Sequence, residues 1–133
     1  MPKADHKKSN FDIDLDFGKK GEDWVIQLFE GNEKIEVKTE RGLWKETGNI
    51  AIEVKYKGKP SGLSTTEANM WIHLLEDNRE IVGGFIIPVK TLKKRIKELY
   101  EAKEVSIVKG GDGNESLIAL LPISKVFTNS LRF

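Results

Sequence analysis

The chain has 133 residues, a formal net charge of +1 and 32% charged residues. That size buries one apolar core without staples, and the overall charge points neither toward nor away from a polyanionic partner. The absence of cysteine excludes a disulfide framework and a thiolate metal site and agrees with a cytoplasmic protein. The apolar runs are too short to span a bilayer, and the opening MPKADHKKSN lacks the apolar centre of a secretory signal, so no membrane partner is expected.

In chain order, residues 1–9 read as a tail and residues 10–133 as a single domain. Phe11, Ile13, Leu15 and Phe17 alternate with Asp12, Asp14 and Asp16, the period of a half-buried strand. Over 19–30 the period changes. Glu22, Val25, Ile26 and Phe29 share a helical face with Trp24 and Leu28 alongside, and Gly31 with Asn32 supplies a stop. Two strands follow, over 34–40 and 49–56. Ile35, Val37 and Thr39 oppose Glu36, Lys38 and Glu40 in the first; Ile50, Ile52, Val54 and Tyr56 oppose Ala51, Glu53 and Lys55 in the second. The linking RGLWKETG makes them a hairpin.

KGKPSGLS is a loop by composition, and Ser64 or Thr65 is a cap for a second helix with Ala68, Trp71, Ile72 and Leu75 on one stripe. The apolar run 81–89 reads as a strand buried on both faces. A third helix over 91–102 turns Leu92, Ile96, Leu99 and Tyr100 inward and Lys93, Lys94, Arg95 and Lys97 outward. Strands near 104–108 and 116–122 flank the turn GGDGNE. His6, in the tail, and His73, on the second helix, read as surface or packing residues.

Between Lys34 and Lys59 stand seven basic residues (Lys34, Lys38, Arg41, Lys45, Lys55, Lys57, Lys59) and four acidic ones (Glu36, Glu40, Glu46, Glu53). If the hairpin aligns its apolar faces, Glu36, Lys38, Glu53 and Lys55 project together from the other face. Glu36 and Glu53 could then supply hard oxygen ligands to a divalent metal, with the remaining positions taken by water and substrate phosphate. Lys55, two residues from Glu53, is placed to offset charge on a phosphate. Glu22 on the inward stripe of the first helix needs a partner, and a metal or a lysine would serve. The same residues also fit a solvated Glu/Lys hairpin and a glutamate that complements a helix dipole.

A helix with an early Glu, an acidic residue on one strand and Glu-x-Lys on the next resembles the PD-(D/E)XK nuclease superfamily, over roughly 18–88. The string EVKTE, WKETGNIAIE, GKPSGLSTTEA and a Trp also resembles small phage-encoded and environmental nucleases, themselves similar in core layout to Holliday-junction resolvases and restriction endonucleases. The resemblance implies an α/β (α+β) fold with a restriction-endonuclease-like core, a mixed central β-sheet flanked by helices, and Mg²⁺- or Mn²⁺-dependent hydrolysis of DNA phosphodiester bonds. By matching motif it makes Glu22, Glu36 and Glu53 the metal ligands and Lys55 the lysine of the triplet. Glu36-Val37-Lys38 is a second Glu-x-Lys, which leaves Lys38 as an alternative. Two features depart from the family pattern: there is no Pro-Asp dipeptide, and two strands lie where the family has three, with 11–17 a candidate for the third.

The loop 57–66 leaves the Glu53 strand directly, so Ser61, Thr65 and Thr66, with Lys57 and Lys59, are its candidate DNA contacts. The expected partner is DNA, and a homodimer is compatible with it. The rival expectation is a catalytically inactive nucleic-acid-binding or phage regulatory module on the same fold. Its support is the basic outer face of the third helix and the KGKPSG loop.

Overall fold

The computed structural model describes residues 10–31 and 33–128; the expected tail over 1–9, with His6, lies outside the described residues. The described residues fall into two compact units, one within Met1–Glu33 and one within Lys34–Phe133. The first is a helix, α1 (Asn10–Glu30), with Asp12 in its first turn. Gly31 N–H bonds back to Gln27 O at 2.8 Å and ends it. The strand expected over 11–17 is thus the start of a helix. A strand must find a neighbour for its backbone groups, whereas a helix satisfies them locally and propagates at one bond per residue once nucleated. Ile13, Leu15 and Phe17 are exposed along it.

The second unit is mixed α+β. Its elements are β1 (Ile35–Glu40), α2 (Trp44–Thr47), β2 (Asn49–Tyr56), β3 (Lys59–Pro60), β4 (Met70–Asp77), β5 (Glu80–Pro88), α3 (Val89–Glu101), β6 (Ser106–Gly110) and β7 (Ser116–Pro122), with short 3-10 turns at Gly62–Ser64, Asp112–Asn114 and Ile123–Lys125. They form a mixed three-stranded sheet, β1-β4-β5, and a four-stranded sheet, β3-β2-β7-β6. In the first, β4 is central, parallel to β1 and antiparallel to β5. In the second, every pairing is antiparallel.

Three expectations are corrected here. The strands over 34–40 and 49–56 both form, but they belong to different sheets and do not pair as a hairpin. The link between them folds into α2, closed by Gly48 at φ 73° with its N–H on Trp44 O. That link is tied to the end of β4, since Trp44 Nε1 donates to Glu76 O at 2.7 Å and Gly42 N to Glu76 Oε1 at 3.1 Å. Secondly, the helix expected from Ser64 or Thr65 onward does not form: the 3-10 turn Gly62–Ser64 leads through 65–69 into β4. A short apolar run such as MWIHLL satisfies both periods, and only its position between β1 and β5 decides. Thirdly, β5 is an edge strand whose Ile81 and Val82 are exposed, not a strand covered on both faces.

Asn78 and Arg79, both at positive φ (50° and 68°), make the two-residue turn between β4 and β5, the backbone such a hairpin requires. Helix α3 follows β5 directly, with Pro88 at its N-cap. Its Leu92, Ile96 and Leu99 are buried with Ile50 and Ile52 of β2, Trp71 of β4, Ile87 of β5 and Ala119 and Leu121 of β7, so the two sheets and α3 share one core. Tyr100, expected inward, is exposed. Arg95, expected outward, is folded back, its Nε donating to Lys125 O at 2.8 Å.

Leu92 has no exposed surface, so Leu92→Ala removes a side chain that the whole core surrounds. The expected cost is about 2–5 kcal/mol of unfolding free energy, read from the urea midpoint at constant m-value.

Candidate functional site

On β1 the carboxylate-bearing side, not the apolar side, is the covered one. Glu36 and Glu40 are half-buried, while Ile35 and Val37 are exposed. The parallel register sets Glu36 beside Trp71, Lys38 beside His73 and Glu40 beside Leu75, and side chains at paired positions of a sheet share a face. The polar row of β1 therefore continues the inward row of β4. Opposite it, β2 presents Ala51 and Glu53. The two sheets bound a cleft of about 540 Å³, lined by Lys38, Glu40 and Arg41 from β1 and its exit, Glu53 from β2, Gly62, and His73 from β4, among others.

Each acid in this region is held. Glu53 accepts hydroxyl bonds on both oxygens, from Ser61 Oγ on Oε2 at 3.0 Å and from Ser116 Oγ on Oε1 at 2.7 Å. Glu40 accepts on Oε1 from Ala51 N at 3.0 Å, and the same oxygen lies 2.8 Å from His73 Nε2. Glu36 accepts from Thr66 Oγ1 at 3.3 Å and lies 3.7 Å from Lys38 Nζ.

The two candidate lysines part company at a β-bulge. Glu53 pairs with Ile118 and Lys55 with Leu117, leaving Val54 as the extra residue on β2. Ile118 and Leu117 are consecutive and face opposite sides of the sheet, so Glu53 and Lys55 do too. Lys55 turns to the α3 side, where it lines a separate groove of about 580 Å³ with Leu63, Lys93, Ile96, Lys97 and Tyr100. Lys38, from a different sheet, shares the cleft with Glu53.

Of the other expected site residues, Glu22 lies exposed on α1, in the separate unit. Ser61 and Thr66 spend their hydroxyls on Glu53 and Glu36. Thr65 closes the 3-10 turn through its backbone, its N–H on Gly62 O. No helix N-terminus follows this loop, so the anion site expected there has no helix to build it. Lys57 lies 3.9 Å from Glu115 and over the Tyr56 ring, and Lys59 is exposed on β3. His73, expected on a helix surface, is a strand residue with 1% of its surface exposed. Glu40 is the residue that sequence reasoning misses. Its signal is present in the chain, because it is the third member of the row that holds Glu36 and Lys38.

A divalent cation of the Mg²⁺ type is satisfied by one or two protein carboxylates plus water and phosphate. Among the described residues no three or more His, Asp or Glu side chains are grouped to hold a metal ion. Glu40 and Glu53 nevertheless line one cleft. Each Glu53 oxygen accepts one hydroxyl bond, and a carboxylate oxygen has a second lone pair to give. The donor set suits a hard cation.

Gly62 stands at φ 54°, and a Cβ there would sit 2.3 Å from Glu53 O. Gly62→Ala should therefore push the turn off β2 and cost more than about 1 kcal/mol, while Ser116→Ala should cost about 1.5–3 kcal/mol for the lost bond to a carboxylate. Both are checked by denaturant unfolding. No family model, curated protein or solved structure matches the chain.

Proposed function

We propose that the chain is a metal-dependent nuclease that hydrolyses DNA phosphodiester bonds in the cleft of Lys38, Glu40 and Glu53, on a restriction-endonuclease-like core. The observation that carries this reading is the convergence of Lys38 and Glu53, from strands of different sheets, on one cleft that also holds Glu40. A lysine and two carboxylates lining one cleft are groups that metal-assisted phosphodiester hydrolysis can use.

Glu53 and Glu40 would hold Mg²⁺ or Mn²⁺, while Glu36 pairs with Lys38 at 3.7 Å. When bound, the cation lowers the pKa of a coordinated water and offsets charge on the phosphate. The chain's own residues set the rest. Ser61 and Ser116 fix the Glu53 carboxylate from both oxygens, so it meets substrate without reorganising. Lys38 is kept near Glu36 and faces the charge that develops on the transferred phosphate. Arg41, at the exit of β1, provides a second cation for the backbone. Under this reading Lys55 acts in binding, through the α3 groove.

The test is incubation with linear, nicked, single-stranded and branched DNA, with Mg²⁺ or Mn²⁺ and in chelator. Cleavage should require metal. Lys38→Gln and Glu53→Gln should each lower turnover by about 10²–10³-fold, whereas Lys55→Gln should change binding alone. Mg²⁺ or Mn²⁺ should also raise the melting temperature of the wild type and not of Glu53→Gln, because only the folded cleft binds the ion. Metal-independent behaviour throughout would reject the proposal.

A second reading, a non-catalytic nucleic-acid-binding module, is favoured by one observation. The bulge brings Lys55 to the groove that Lys93 and Lys97 also line. If the groove grips phosphates, replacing these three lysines by glutamine should reduce the slope of log K against log salt by about 0.7–0.9 for each phosphate no longer neutralised. Retained binding in chelator with no cleavage under any condition would select this reading.

A further inference from the structure

The most enclosed polar side chain of the cleft is His73. Its ring is near-parallel to that of Trp71, with centroids 6.4 Å apart at 15°, and to that of Phe85, at 5.7 Å and 10°, and 1% of its surface is exposed. Trp71 Nε1 donates to its Nδ1 at 3.1 Å. An indole N–H can only donate, so Nδ1 must accept and the ring proton sits on Nε2. That nitrogen lies 2.8 Å from Glu40 Oε1, and it therefore donates to the carboxylate.

We infer that His73 is a positioning residue: the chain Trp71 to His73 to Glu40 holds the Glu40 carboxylate, as an acceptor of fixed direction, at the cleft wall. The buried ring is held at both nitrogens, by the Trp71 N–H on Nδ1 and by the Glu40 carboxylate at Nε2. It is thus unsuited to shuttle protons and suited to aim a carboxylate. Ala51 N, on the same oxygen at 3.0 Å, supplies the second restraint. Fixing a carboxylate by two donors removes rotamer freedom that ligand binding would otherwise have to remove. The catalytic consequence of this inference rests on the nuclease reading; the hydrogen-bond chain itself does not.

Two measurements on the full chain test it. In ¹⁵N-resolved NMR the wild-type His73 should show an unprotonated Nδ1 and a protonated Nε2, with the Nε2 proton far downfield and moving upfield in Glu40→Gln. The opposite tautomer, or a resonance indifferent to Glu40→Gln, would overturn the inference whether or not the protein cleaves DNA. In the cleavage assay, on whichever DNA form is cut, His73→Leu should lose about 10–100-fold in kcat with KM held. His73→Gln, which restores a donor toward Glu40, should recover most of that loss. Equal kcat for folded His73→Leu and His73→Gln would sink the idea.

If His73→Leu does not fold, Trp71→Phe keeps an aromatic ring and removes only the N–H. Its His73 should stay protonated on Nε2, because the Glu40 carboxylate can only accept, while the ring loses its second restraint and kcat should fall; an unchanged kcat would also overturn the inference. A wild type inactive on every DNA form with both metals would instead strike the nuclease reading, leaving the NMR comparison to decide the role of His73.

Discussion

The two sheets of the larger unit meet across one carboxylate. β7 pairs along the whole length of β2 on one edge, whereas β3 reaches only Lys55 and Tyr56 on the other. The part-buried N–H of Ala51 is taken up by Glu40 from the neighbouring sheet. Without that acceptor a partly buried backbone donor would go unmatched, at a cost of about 1–3 kcal/mol. The same oxygen receives His73 from β4, so one side chain ties β1, β2 and β4 together. A carboxylate oxygen in such a place accepts from two fixed donors at once. Glu40 belongs both to this seam and to the candidate site.

The bulge at Val54 is the second constraint, and it acts on chemistry through geometry alone. With strict alternation Glu53 and Lys55 would share a face and the triplet would be a self-contained acid and lysine pair. One extra residue on β2 sends Lys55 to the groove beside α3 and leaves Glu53 in the cleft. The lysine that lines the cleft with Glu53 then comes from the other sheet, as Lys38. An acid and a lysine far apart in sequence thereby line one cleft, while two separated by a single residue do not.

What the sequence makes legible follows from how local each feature is. α3 and the strands β1, β2, β5, β6 and β7 are fixed by their own periodicity and stops, and periodicity gives their types correctly, although it puts β5 in the sheet interior rather than at the edge. Expectation and structure part where the deciding contact is distant. Trp71, Ile72 and Leu75 fit a helical stripe as well as a strand, and only the pairing of β4 with both β1 and β5 resolves them. The expected hairpin does not form because Trp44 and Gly42 anchor the link after β1 to Glu76, which carries the chain away from β1 before β2 begins. The site is half legible. Alternation marks Glu36, Lys38, Glu40 and Glu53 alike. That Glu40 rather than Glu36 lines the cleft with Glu53, and that Lys55 leaves it, depend on sheet assembly and on a bulge that alternation cannot foresee.

The structure gives the loop string GKPSGLSTTEA a physical task. Ser61 bonds Glu53, Thr66 bonds Glu36, and Gly62 lets the turn lie against the Glu53 backbone at a distance where any side chain would collide. Two hydroxyl donors and one glycine thus serve two acidic residues on strands of different sheets. Such hydroxyl-to-carboxylate bonds are worth about 1.5–3 kcal/mol each when the acceptor is charged, comparable to what holding an unpaired half-buried carboxylate would cost. The loop is therefore a support for the acids. The positions of Ser61, Gly62 and Thr66 relative to Glu53 and Glu36 are what that support uses.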